Sequence, residues 1–126
     1  MAKFRYCNLN PNGENRNDCV TRAIAFATEL PYRSIRSKLY HTAKLLECEK
    51  LCPTCYSFAI QEVLGGIPKN CEGLTVGEFA DCHPNGTYLI RIKGHLTVLR
   101  NGDCFDTWNC LDRECDLAWQ IPRNYN

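Results

Sequence analysis

Three residues, Cys19, His95 and Asp106, define the chemistry for which this chain is equipped. A thiol attacks as its thiolate, so it needs a base to take the proton and positive surroundings to hold the charge. Histidine supplies the base, and a carboxylate fixes the tautomer of that histidine and stabilises the imidazolium. Singly, each residue is ordinary. With ten cysteines in 126 residues, any one of them is most often a small buried hydrophobe, and a histidine in an apolar strand is usually a satisfied core residue. Placement is what makes a set of the three.

The placement of His95 and Asp106 is local. Residues 94 to 108, Gly-His-Leu-Thr-Val-Leu-Arg-Asn-Gly-Asp-Cys-Phe-Asp-Thr-Trp, read as one β-hairpin whose loop is Asn101-Gly102. That pair accepts the two positive φ angles of a type I′ turn at little cost. The register follows: Arg100 faces Asp103, Val98 faces Phe105, Thr97 faces Asp106 and His95 faces Trp108. By the period of two, His95 and Asp106 share a face as diagonal cross-strand neighbours, about 7–8 Å apart at Cβ or somewhat less. Asn109 falls on the opposite face and ranks below Asp106 as the partner of the histidine.

Cys19 is positioned by a helix. Residues 8 to 17 are loop, dense in Asn, Gly and Pro, which compete with any regular ladder. Asp18 is the expected N-cap, Val20, Ala23, Ile24 and Ala27 recur at helical spacing, and Pro31 stops the helix. Cys19 then lies in the first turn, where the positive end of the helix dipole favours a thiolate.

The other elements follow from periodicity and punctuation. A second helix is expected from about Ser34 to about Glu47, burying Ile35, Leu39, Thr42, Leu45 and Leu46. A third amphipathic stretch runs through Phe58, Ile60, Val63 and Leu64 to Gly65-Gly66. Thr75 and Glu78 have capping-box spacing and open a fourth helix. Thr87 to Ile92 is apolar enough for a central strand, Lys93-Gly94 turns it into the His95 strand, and a last strand lies around Trp119 to Ile121. Residues 3 to 7 alternate and fit a short edge strand. Helices gather in the first half and strands in the second, the α+β pattern of N-terminal helices packed on a C-terminal antiparallel sheet. The length is that of a single domain, residues 1–126.

Composition narrows the function. A hydrophobic fraction of 44% and a charged fraction of 23% are those of a globular chain. The net charge of +1 provides no field to steer nucleic acid or an anionic membrane, and Arg16, Arg22, Arg33, Arg36 and Lys38 read as scattered solvated charges. No apolar run has the length of a membrane span, and the first residues lack the apolar core of a signal peptide. A cytoplasmic protein with reduced thiols is the expectation. Cys48-x3-Cys52-x2-Cys55, with His41 before it and Cys71 after it, is half of a zinc motif and lacks a second C-x2-C pair. Cys48, Cys52, Cys55 and Cys71 are therefore weak zinc candidates, and no cofactor is expected.

The stretch Asn-Arg-Asn-Asp-Cys19-Val-Thr-Arg-Ala-Ile-Ala, followed by Gly-Thr-Tyr-Leu-Ile-Arg-Ile-Lys-Gly-His95-Leu-Thr-Val and Gly-Asp-Cys-Phe-Asp106-Thr-Trp, resembles the papain-like cysteine peptidase fold. More narrowly, it is similar to small cysteine-peptidase-like proteins encoded by bacteriophages and prophages, over about residues 8 to 121. The resemblance implies a nucleophile at Cys19, a base at His95 and an orienting acid at Asp106. The chain would then be a cysteine-type hydrolase, a peptidase or an isopeptidase/amidase, acting on a protein or peptide through a thioester in the cytoplasm of a host cell. It departs from the papain pattern in having no glutamine just before the cysteine. Asn15 or Asn17, with the backbone N–H of Cys19, is the substitute oxyanion donor. The alternative is a catalytically weak or inactive papain-like scaffold that binds a host protein.

Overall fold

The computed structural model describes residues 1–14, 17–49 and 52–122. Its elements, in chain order, are β1 (Lys3–Tyr6), α1 (Cys19–Thr28), α2 (Tyr32–Leu46), α3 (Pro53–Phe58) continuing into a π-helical segment (Ala59–Val63), β2 (Ile67–Lys69), α4 (Val76–Cys82), β3 (Thr87–Ile92), β4 (His95–Arg100), β5 (Asp103–Asp106) and β6 (Leu117–Ile121). The architecture is α+β. The six strands form one sheet in the order β1-β5-β4-β3-β6-β2.

The expected meander is at the centre of that sheet. β3 pairs antiparallel with both β4 and β6. In the β4–β5 hairpin, Arg100 faces Asp103 and Val98 faces Phe105. Asn101 (φ 50°) and Gly102 (φ 84°) take the two left-handed positions of the turn, so the dipeptide sets the register. The sheet is mixed, which corrects the expectation of a purely antiparallel one: β1 runs parallel to β5 at one edge. At the other edge lies β2, which the sequence reading did not foresee. Three residues containing a proline give no period to detect, and Ile67–Lys69 is strand only because β6 offers it a free edge.

Both faces of the sheet are covered. On one face, Val20, Ala23, Ile24 and Ala27 of α1, Ile35 and Leu39 of α2, and Tyr56 and Ile60 pack on Leu89, Leu96, Val98 and Trp119. The alanines of α1 let the helix approach the sheet closely. Its C-terminal end is held by Arg100, whose Nη2 donates to the carbonyls of Phe26 (2.9 Å) and Ala27 (3.3 Å). A cation there also complements the helix dipole. On the other face, Val76, Phe79 and Ala80 of α4 pack with Cys71, Cys104, Cys110 and Cys115 against Tyr88, Ile90 and Leu99. The capping box is complete: Thr75 Oγ1 accepts from Glu78 N (3.1 Å), and Glu78 Oε1 accepts from Thr75 N (2.9 Å).

α2 differs from expectation at both ends. It begins at Tyr32, directly after Pro31, and its last turn projects Leu45 into solvent. Leu45 and Leu46 continue the helical spacing, but both are exposed at the end of the helix. The third helix loosens into the π segment, where Leu64 N donates to Ala59 O (3.0 Å). Gly66 then turns so close under Ile60 that a Cβ would lie 2.6 Å from Ile60 Cγ2, which requires glycine at this position. No helix among the described residues is long and apolar enough to cross a membrane.

Candidate active site

The first turn of α1 meets the open end of the β4–β5 hairpin, and there Cys19, His95 and Asp106 come together. His95 Nε2 lies 2.6 Å from Asp106 Oδ2. The cross-strand diagonal inferred from the turn is therefore closed by a hydrogen bond. With Nε2 taken, Nδ1 is the nitrogen left for the Cys19 thiol, which hydrogen-bonds to the same imidazole. Trp108 lies against the His95 ring, centroids 4.9 Å apart. Asn109 faces elsewhere and accepts from Leu111 N (3.1 Å).

Asp106 is buried and fully engaged. Its Oδ1 accepts from Thr107 N at 2.7 Å, and the Thr97 hydroxyl supports the carboxylate from the facing strand. Burial works against its charge, but the hydrogen bonds from His95 and Thr97 prevail and hold it below the usual carboxylate range. Burial likewise pushes the His95 imidazole down, and the Asp106 carboxylate and the Cys19 thiol together overcome that and raise it to about 9. For Cys19, burial pushes the thiol up. The hydrogen bond with His95, the backbone N–H of Leu96 and the positive charges of His95 and Arg22 bring it below its ordinary value. These directions favour a thiolate–imidazolium pair.

Two of these contributors were not read from the sequence. The Leu96 amide is a backbone group and leaves no signal in residue identity. Arg22, assigned there to a solvated face, is buried at 8% exposure; its Nε lies 2.8 Å from Asp18 Oδ1. The i, i+4 spacing of Asp18 and Arg22 is the signal that could have found the pair. Asp18 is the N-cap residue, as expected, but its side chain does not cap the helix. Its Oδ2 accepts from Tyr32 Oη (2.7 Å) and Asn10 Nδ2 (3.0 Å) instead. The carboxylate therefore does not cap the first N–H groups of α1.

A cleft of about 190 Å³ leads to Cys19 and His95, lined also by Asn17, Val20, Pro53, Tyr56, Arg91, Gly94 and Leu96. Asn17, one of the two oxyanion candidates, is thus at the site. Asn15 lies outside the described residues. Pro53 and Tyr56 come from the segment between α2 and α4, so this segment borders the cleft.

The cysteine-rich constellation divides. Cys48 hydrogen-bonds to Cys52 and Cys55, so these three thiols are neighbours at the start of α3. Cys71 corrects the four-residue zinc reading: it is buried on the opposite face of the sheet, hydrogen-bonded to Cys115. Among the described residues, the ligand-type atoms that lie within 4.8 Å of one another are those of His95, Asp106 and Cys110. Two of those belong to the site itself, and a metal bound there would occupy the imidazole that the thiol needs.

Comparison with known protein families, curated proteins and solved structures finds no match to this chain. The papain-like resemblance therefore rests on the sequence stretches around Cys19, His95 and Asp106.

Proposed function

We propose that this protein is a cysteine-type hydrolase of the papain-like kind, acting on a peptide, isopeptide or related amide bond. The observation that carries the proposal is the ordered chain from the Cys19 thiol to the His95 imidazole to the buried Asp106 carboxylate. The Cys19 thiolate adds to the acyl carbon, and the C–N bond breaks as the amine takes a proton from His95. Water, giving its proton to His95, then cleaves the thioester to release the carboxylate and return the thiolate. Asp106 stays ionised throughout, holding the imidazole in place. The oxyanion forms beside the N-terminus of α1, where the backbone N–H of Cys19 and the Asn17 side chain are the donors at hand.

The test is the alkylation rate of each cysteine against pH, read by peptide mass spectrometry, in the wild type and in His95→Ala. The proposal requires Cys19 to react at least about tenfold faster than the other nine below pH 7 and to lose that lead without His95. If Cys19 behaves as an ordinary thiol in both proteins, the catalytic reading fails and the scaffold that binds a host protein takes its place.

A further inference from the structure

The cleft at Cys19 has a charge character that the triad alone does not require. Among its described lining residues there is no carboxylate, while Arg91 projects into it from β3. The N-terminal end of α1 opens into the same space through Cys19 and Val20, adding the positive pole of a ten-residue helix. Arg91 Nη1 pairs with Asp116 Oδ2 at 2.9 Å, on the solvent side where the Asp116 side chain is 52% exposed. A pair so exposed is worth little and exchanges readily. Arg91 also hydrogen-bonds to Tyr56, which lines the same cleft. Its planar fork has donors left over for a second carboxylate.

We infer that Arg91 forms an anion-accepting subsite next to Cys19, so that the substrates of this site carry a carboxylate close to the scissile acyl group. The inference rests on the hydrolase reading above and names its substrate class. Asp116 is the resident counter-ion, which an incoming carboxylate displaces from Arg91. An acidic side chain and a chain-terminal carboxylate present the same chemistry, and the test separates them.

The experiment compares labelling rates at Cys19 for two pairs of reagents differing in one charge. Chloromethyl ketones of acetyl-glutamate and acetyl-glutamine report a side-chain carboxylate, and bromoacetyl-glycine and its amide report a terminal one. For the pair that matches the substrate, the ratio of anionic to neutral rate falls about fivefold in Arg91→Gln, equivalent to about 1 kcal/mol. The ratio is retained in Arg91→Lys and rises in Asp116→Asn. Attraction by the His95 imidazolium is common to all these proteins and cancels. Should Arg91→Gln fail to fold, the Asp116→Asn ratio decides alone, since that side chain is exposed. If the neutral reagents label Cys19 selectively but neither ratio moves by more than about twofold, the subsite is refuted and the hydrolase reading stands. If no reagent labels Cys19 in preference to the other thiols in the wild type, the hydrolase reading fails and the subsite falls with it.

Discussion

The His95–Asp106 bond makes a prediction about stability that needs no substrate. In Cys19→Ala, His95 keeps its carboxylate partner and loses only the thiol. The rise of the His95 pKa from 6.5 to about 9 corresponds to about 3 kcal/mol. The His95 side chain is only 9% exposed, so solvent screening takes little of this. Asp106 is the larger of the two groups that raise it, so its share of the rise is about 2 kcal/mol, which separates Cys19→Ala from a variant that also lacks the carboxylate. The sign follows from proton counts. Below pH 6.5 both the folded and the unfolded chain hold the proton, and the contribution is complete. Between 6.5 and about 9 the unfolded chain has released it and the folded chain has not, so rising pH removes the stabilisation. The depressed pKa of Asp106 acts only at acid pH, below this window. Buried thiols away from Asp106, such as Cys55 and Cys71, also lose stability toward alkaline pH, but they are common to Cys19→Ala and Cys19→Ala/Asp106→Asn, so the comparison removes them; at Cys7 and Cys104 the Asp106 carboxylate raises the thiol and adds in the same direction. Urea denaturation followed by tryptophan fluorescence from pH 6 to 9 should show the single variant losing about 2 kcal/mol more than the double one. Curves parallel to within about 0.5 kcal/mol would refute the reasoning.

Two further expectations concern what supports the site. Arg22→Met leaves the Asp18 carboxylate buried without its cation and should cost about 3 kcal/mol in urea denaturation, with most of the loss recovered in Asp18→Asn/Arg22→Met; equal losses in the single and double variants would show that the pair is not coupled. Gly66→Ala places a methyl group 2.6 Å from Ile60 Cγ2 and 2.9 Å from the Ile60 carbonyl oxygen, so a loss of about 1–3 kcal/mol is expected, and an unchanged denaturation midpoint would mean that the π segment yields freely.

What was legible in the sequence is what short-range geometry decides. The turn dipeptide Asn101-Gly102 fixes which residues of β4 and β5 oppose each other, so the relation of His95 to Asp106, eleven positions on, follows from that short stretch of chain and from no knowledge of the remainder. The start of α1 at Cys19 and the capping box at Thr75 are local in the same sense. What was not legible depends on partners far away in sequence. Strand β2 exists because β6 has an unpaired edge, and β1 runs parallel to a strand about a hundred residues later. Leu45 is exposed at the end of its helix, although its spacing matches that of the buried stripe. Asp18 shows how the two kinds of information differ: local rules assign it to the cap, and the tertiary contacts with Arg22, Tyr32 and Asn10 take its carboxylate elsewhere. That diversion matters for the proposed chemistry, because a carboxylate capping α1 would bond the N–H of Val20 or Thr21 and place negative charge against the first turn that carries the Cys19 thiol. Asp18 is therefore compatible with a reactive Cys19 only in combination with the residues that draw it away, so Arg22 is a positioning residue of the site although it lies outside the triad.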